Sequence, residues 1–284
     1  MINFRKAFFA LKGRLGLPST AVVAEQSVPS ATVDLQPIPV DDAPLLEQHE
    51  IVLCVPGEWA DASDFTGRVA ALDGHYSNTG VLQAQVGDTD GIKVDIGRAD
   101  PSLAVAFRIA GQGKIDEDTL RVLARHTSVA YLHFPADLAA HGASMLKLSR
   151  LMERVGGLAV KVESCGVAHS WARWAILLKG ALPGQYAAGV TLVTSADFYY
   201  SCGMHNFGLP DCEVPGAIDF DSAMNLVNQF NFWRLSALPS LSNGHSFSLD
   251  KGAPSYVLRQ RSDQRHAAGS PLFNPHGLWR LEPA

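Results

Sequence analysis

Several familiar catalytic signatures are missing from this chain. It has no GxxxxGK[ST] phosphate loop, no HExxH metal helix and no GxSxG nucleophile elbow. Gly111-Gln112-Gly113 is too short for a dinucleotide fingerprint. Phosphoryl transfer and nucleotide-dependent redox chemistry therefore have no motif behind them. Cysteine is scarce: four residues in 284 build no dense disulfide framework, and Cys54 and Cys165 lie in or beside apolar runs, where free thiols are commonly buried. Reduced thiols in a cytoplasmic protein are expected, with a Cys202–Cys212 bridge the alternative for an exported chain. No uninterrupted apolar run reaches about eighteen residues, so no membrane span is expected. Charge is also sparse, at 18% of residues, and no long block of one sign occurs. A net charge of −5 and a pI near 6.0 argue against a general nucleic-acid binder.

What the chain does have is apolar residues, 47% of the total, enough to fill a large core. Phe4, Phe8, Leu11 and Leu15 recur at helical spacing, and Arg5, Lys6, Lys12 and Arg14 make residues 1–17 a basic amphipathic segment. Lys12 and Arg14 break its apolar stretch, so a signal peptide is not expected. Such a helix either packs on the folded body or docks on a partner protein or membrane surface. Residues 18–47, with Ala, Val, Ser and Pro and little periodicity, read as an extended linker. Residues 48–284 read as one globular domain.

Within that domain, strands are expected at Ile51–Val55, Leu103–Ile109, Ser128–Phe134, Leu158–Val162, Val190–Val193 and Tyr256–Arg261. Val81–Val86 and Ile92–Ile96 flank a Gly-Asp-Thr-Asp-Gly turn and predict a hairpin. Helices are expected at Ala62–Leu72, from Ile115 to His126, at Leu138–Val155, Ser170–Lys179 and Asp219–Leu235, with acidic residues at several N-termini. Hairpin-like pairs interrupt the alternation, which a pure Rossmann sheet would not show. The expected class is α+β: a mixed β-sheet with helices on one face, or two ferredoxin-like halves side by side, with Leu182–Ala188 as a junction.

The segment Tyr199–Glu213 concentrates thiol, imidazole, carboxylate and glycine. Cys202, His205 and Cys212 are candidate zinc ligands, although no standard finger spacing or fourth ligand is present. Cys202 is a candidate nucleophile, with His205 as base and Asp211 or His245 in support. The plainer reading is a structured turn, in which Gly203 and Gly208 supply unusual dihedrals. Trp171 and Trp174 share a helix face with Arg173 beside them, either as a binding patch or as a core stripe. Arg259 and Arg261, with Asp263, Arg265 and His266 following, are candidates for binding an anion or for covering a solvated strand face. No cofactor is called for.

Gly203, Phe207 and Gly208, followed by Asp211 and Glu213 and later by the Asn243-Gly244-His245 turn, resemble an uncharacterised bacterial family, domain of unknown function 4261. The resemblance covers about residues 190–279. It implies an α+β bacterial protein associated with toxin–immunity or secretion-linked loci, and it transfers no catalytic residue. The function expected on these grounds is non-enzymatic binding of a partner protein, as an immunity or adaptor protein, with a cysteine–histidine hydrolase or transferase as the alternative.

Overall fold

The computed structural model describes residues 49–72, 76–78, 81–84 and 91–284. The proposed helix and linker of residues 1–47 lie outside these. The described residues form thirteen strands, seven α-helices and one short 3-10 helix, an α+β fold as expected. They arrange themselves in two sheets rather than one mixed sheet.

The first sheet has seven strands in the order β2-β3-β4-β5-β1-β6-β7, antiparallel throughout. They are β1 (Glu50–Gly57), β2 (Tyr76–Asn78), β3 (Val81–Ala84), β4 (Ile92–Arg98), β5 (Ser128–Pro135), β6 (Val160–Val162) and β7 (Val167–His169). β1 and β5 sit near the centre and bury side chains on both faces. Ile51, Leu53, Val55 and Leu132 join one core, whereas Cys54 and Val129 join another. A strand buried on both sides needs a cover on both sides. The first core is covered by α1 (Ala62–Leu72), α4 (Leu138–Arg154) and α5 (Trp171–Lys179), and the second by α2 (Leu103–Ala110) and α3 (Glu117–Leu123). Helices therefore lie on both faces of this sheet, not on one.

Local chemistry explains where the helices begin. Asp116, Asp137 and Asp219 each accept a hydrogen bond from a backbone N–H of the first turn, as does the Ser170 hydroxyl, more loosely. Each satisfies one of the donors that a helix start leaves orphaned. Leu103–Ala110, expected as a strand, is α2. Its Leu103, Phe107 and Ala110 are buried at helical spacing, while Val105 and Ile109 face solvent. A continuous apolar run does not by itself distinguish a buried strand from a helix.

The second sheet has six strands in the order β11-β12-β13-β10-β9-β8 and is mixed, because β10 and β13 run parallel. Its strands are β8 (Thr191–Thr194), β9 (Phe198–Cys202), β10 (Asp211–Pro215), β11 (Ser246–Ser248), β12 (Ser255–Arg261) and β13 (Leu278–Pro283). The helix α7 (Phe220–Ala237) covers one face through Ala223, Leu226, Val227 and Phe230, against Cys212, Val214, Leu258 and Leu281. Leu182–Ala188, the expected junction, is helical, within α6 (Ala181–Gly189). Tyr186 of α6, Met204 of the 3-10 helix (Met204–Phe207) and Leu235 of α7 share a small apolar cluster that joins the two halves. No described helix is long and apolar enough to cross a membrane.

Candidate functional site

The Tyr199–Glu213 segment is an ordered hairpin: β9, a left-handed Gly203, the 3-10 helix, a left-handed Gly208, then β10. Two of its polar side chains, those of Asn206 and Asp211, anchor it by hydrogen bonds. Asn206 Nδ2 donates to the Gly189 carbonyl at 2.8 Å, its Oδ1 accepts from Ser164 at 2.6 Å, and its backbone carbonyl accepts from Asp137 N–H. One residue thus ties α6, the β6–β7 turn and the start of α4 to the hairpin. The Asp211 carboxylate is buried and accepts from the Ser201 hydroxyl at 3.0 Å, the Met204 N–H at 3.1 Å and the Asn274 amide at 2.6 Å. Three donors to one carboxylate satisfy a buried charge that would otherwise be expensive.

Cys202 does not have the surroundings of a nucleophile. It is buried, its sulfur lies 3.9 Å from the carbonyls of Ser164 and Leu272, and burial pushes its thiol far above the ordinary range, with Asp211 adding to the shift. A catalytic thiol needs the opposite displacement. His205 is fully buried, with its Nδ1 3.8 Å from Asp211 Oδ2 and its ring edge-on to His49 at 4.3 Å. His245 belongs to the turn before β11, four strand positions from β9, a separation of about 19 Å at ordinary strand spacing. The catalytic constellation is therefore not assembled. Cys202 alternates with Ser201 along β9 and shares the face of Phe198 and Tyr200, whereas Cys212 packs beneath α7. The two thiols lie on opposite faces of the sheet, so they share neither a bridge nor a metal. All four cysteines are free, and among the described residues no group of three His, Cys, Asp or Glu is placed to hold a metal ion.

Burial raises all four thiols, Cys165 to about 12 and the others further. Iodoacetamide at pH 7.5 is accordingly expected to modify none of them appreciably within an hour in the folded protein, and all four in denaturant. Rapid single-site labelling at Cys202 would revive the nucleophile reading.

Trp171 and Trp174, called as binding residues, belong to the first core instead. Their indole N–H groups donate inward, to the Gly157 carbonyl at 2.8 Å and the Ser149 hydroxyl at 2.7 Å. Arg173 beside them is half-buried. Spacing on one helix face was legible in the sequence, but whether that face looked inward depended on the sheet beneath it. Phe4, Phe8, Leu11 and Leu15 lie outside the described residues.

Arg261 lines a groove, and Arg259 stands beside it on the same strand without lining it. The face of the second sheet opposite α7 carries no helix. Cross-strand register sets Arg259 opposite Arg280, Arg280 beside Glu213 and Glu213 opposite Tyr200, one row running across four strands. Glu213 is fully buried, clasped between the guanidinium groups of Arg280 and Arg265. Arg280 lies 4.4 Å above the Phe198 ring and Arg265 lies 4.4 Å above Tyr200, so the cations rest on aromatic faces. Arg259 and Arg261 reach Glu282 only loosely, at 3.5 and 3.8 Å, and both remain exposed. A groove of about 910 Å³ runs over this surface, lined by Arg261, Arg265, Arg280, Phe198 and Tyr200 among others. Arg280, Glu213 and Phe198 were not singled out as site residues because their meeting depends on strands far apart in the chain. The only local signal was alternation, with an arginine between the apolar Trp279 and Leu281.

Two histidines give the fold a calculable acid sensitivity. Burial lowers His169 to about 4, and burial with neighbouring His205 and His276 lowers His49 to about 4. Both are neutral in the folded protein at pH 6, while the unfolded chain takes up protons as pH falls below 6.5. Their contribution is thus complete above pH 6.5 and is lost as pH falls towards 4. For the well-buried His169 the loss is on the order of 3 kcal/mol. Urea midpoints at pH 7.5 and 4.5 should differ less for His169→Gln than for the unaltered protein; equal differences would refute the assignment.

Comparison of the chain with family models, curated proteins and solved structures finds no match. The likeness of residues 190–279 to domain of unknown function 4261 therefore rests on the quoted residues alone.

Proposed function

We propose that this is a non-enzymatic protein-binding protein and that the helix-free face of its second sheet is the recognition surface. The groove over Arg261, Arg265, Arg280, Phe198 and Tyr200 carries the reading. Arginine and aromatic side chains are the types that dominate protein-binding surfaces, because each joins a large contact area to directional polar groups. Elsewhere, Cys202 and His205 are buried in the joint between the halves, and Cys212 is buried beneath α7. An immunity or adaptor role is the form of binding that the family resemblance implies, and a protein partner is the corresponding expectation. The modest negative charge of the chain does not suit nucleic acid.

The test is a photo-crosslinking amino acid introduced in the native host at Gln264, an exposed residue lining the groove, or at Val105, exposed on α2. One discrete protein adduct is expected from position 264 and none of the same mass from position 105. Absence of an adduct at 264, or the same adduct at both, would overturn the proposal.

A further inference from the structure

We infer that the groove selects an acidic peptide segment, engaging carboxylate side chains one at a time; this rests on the binding reading above and specifies its partner. Three cations, Arg261, Arg265 and Arg280, line the groove against two carboxylates, Asp197 and Glu213, leaving a net charge of +1 with histidine neutral. The imbalance is concentrated where two guanidinium groups share the single carboxylate of Glu213.

Each guanidinium has five N–H donors in a planar fork. Glu213 engages the Nε of Arg280 and one Nη of Arg265, so both keep donors for a further acceptor. Arg261 stands more than half exposed at the groove wall, its nearest carboxylate oxygen 3.8 Å away. An incoming carboxylate can accept from such forks in the bidentate manner, the stronger form of the contact.

A volume of about 910 Å³ exceeds what one small ion fills, which favours an extended, carboxylate-bearing chain over a single anion such as phosphate.

The experiment is fluorescence anisotropy of labelled hexaglutamate titrated with the full-length protein at about 20 mM salt, where exposed charges are weakly screened. Saturable binding is expected, falling as salt rises. Arg261→Glu turns the net groove charge from +1 to −1, so it should weaken hexaglutamate at least tenfold and strengthen labelled hexalysine, with an unchanged thermal midpoint. Equal binding to the variant would place the peptide elsewhere, for example on the basic residues 1–17, and would overturn the inference. So would no binding at all, or displacement of hexaglutamate by an equal concentration of inorganic phosphate. The crosslink at position 264 can still succeed in those cases, so the wider binding proposal stands or falls separately.

Discussion

Gly203→Ala should be among the most damaging single substitutions in this protein, lowering the unfolding free energy by about 3–5 kcal/mol. Gly203 ends β9 with φ +119°, a left-handed region that side chains strongly disfavour. An added Cβ would also lie 2.2 Å from the Gly189 carbonyl oxygen and 2.7 Å from the Cys165 Cβ. The first of these is backbone, and it already accepts from the Asn206 amide. Relief therefore requires moving α6 relative to the 3-10 helix, which is the joint between the two sheets. Gly208 has φ +68° but nothing within 4 Å of its missing Cβ, so Gly208→Ala should cost only about 1–2 kcal/mol of backbone strain. Chemical denaturation of both variants separates steric crowding from conformational preference; similar losses would contradict the close contact at Gly203.

Glu213→Ala is the second large effect. It removes the carboxylate between Arg265 and Arg280 and leaves two cations facing each other over a cavity. Breaking a buried ion pair from one side typically costs about 3–5 kcal/mol, much of it the cost of the charges left behind. In a chain of this size that corresponds to a fall in Tm of about 10 °C. Glu213→Gln keeps the volume and an acceptor oxygen and should cost less than the alanine variant. The two variants also diverge in function. Removing the competing carboxylate while the fold survives, as in Glu213→Gln, should tighten hexaglutamate binding, since both arginines then seek an anion. A tightened complex in a destabilised protein is a combination that a purely structural Glu213 would not give.

The sequence was most legible where local chemistry was decisive. Asp116, Ser170 and Asp219 cap the helices that they were expected to start, and the long helix expected at Leu138–Val155 runs over Leu138–Arg154. The α+β class followed from the mixture of hairpins and helices. What could not be read was non-local. The Leu103–Ala110 run has no period that separates strand from helix, and only the burial of Phe107 beneath the first sheet settles it. Trp171 and Trp174 share a face, as their spacing required, but that face turned out to be core.

The Cys–His segment shows the same limit from the other side. Unusual residues drew attention to Cys202 and His205, yet their neighbours in space are carbonyls, Asp211 and His49, which place them in the joint. Gly203 and Gly208 do supply left-handed backbone, as the plainer reading held. Arg259 and Arg261 were noticed for their alternation, but the groove beside them needed Glu213 and Arg280 from two further strands. Those strands run parallel, a pairing that no short stretch of sequence announces.

The central claim is that recognition resides on the arginine-lined sheet face and that the Cys–His segment is architecture. Crosslinking from position 264 in the native host, repeated with Arg261→Glu and with Cys202→Ala, tests it most directly. The adduct should be lost in the arginine variant and retained in the cysteine variant. Retention with Arg261→Glu and loss with a stably folded Cys202→Ala would contradict the account.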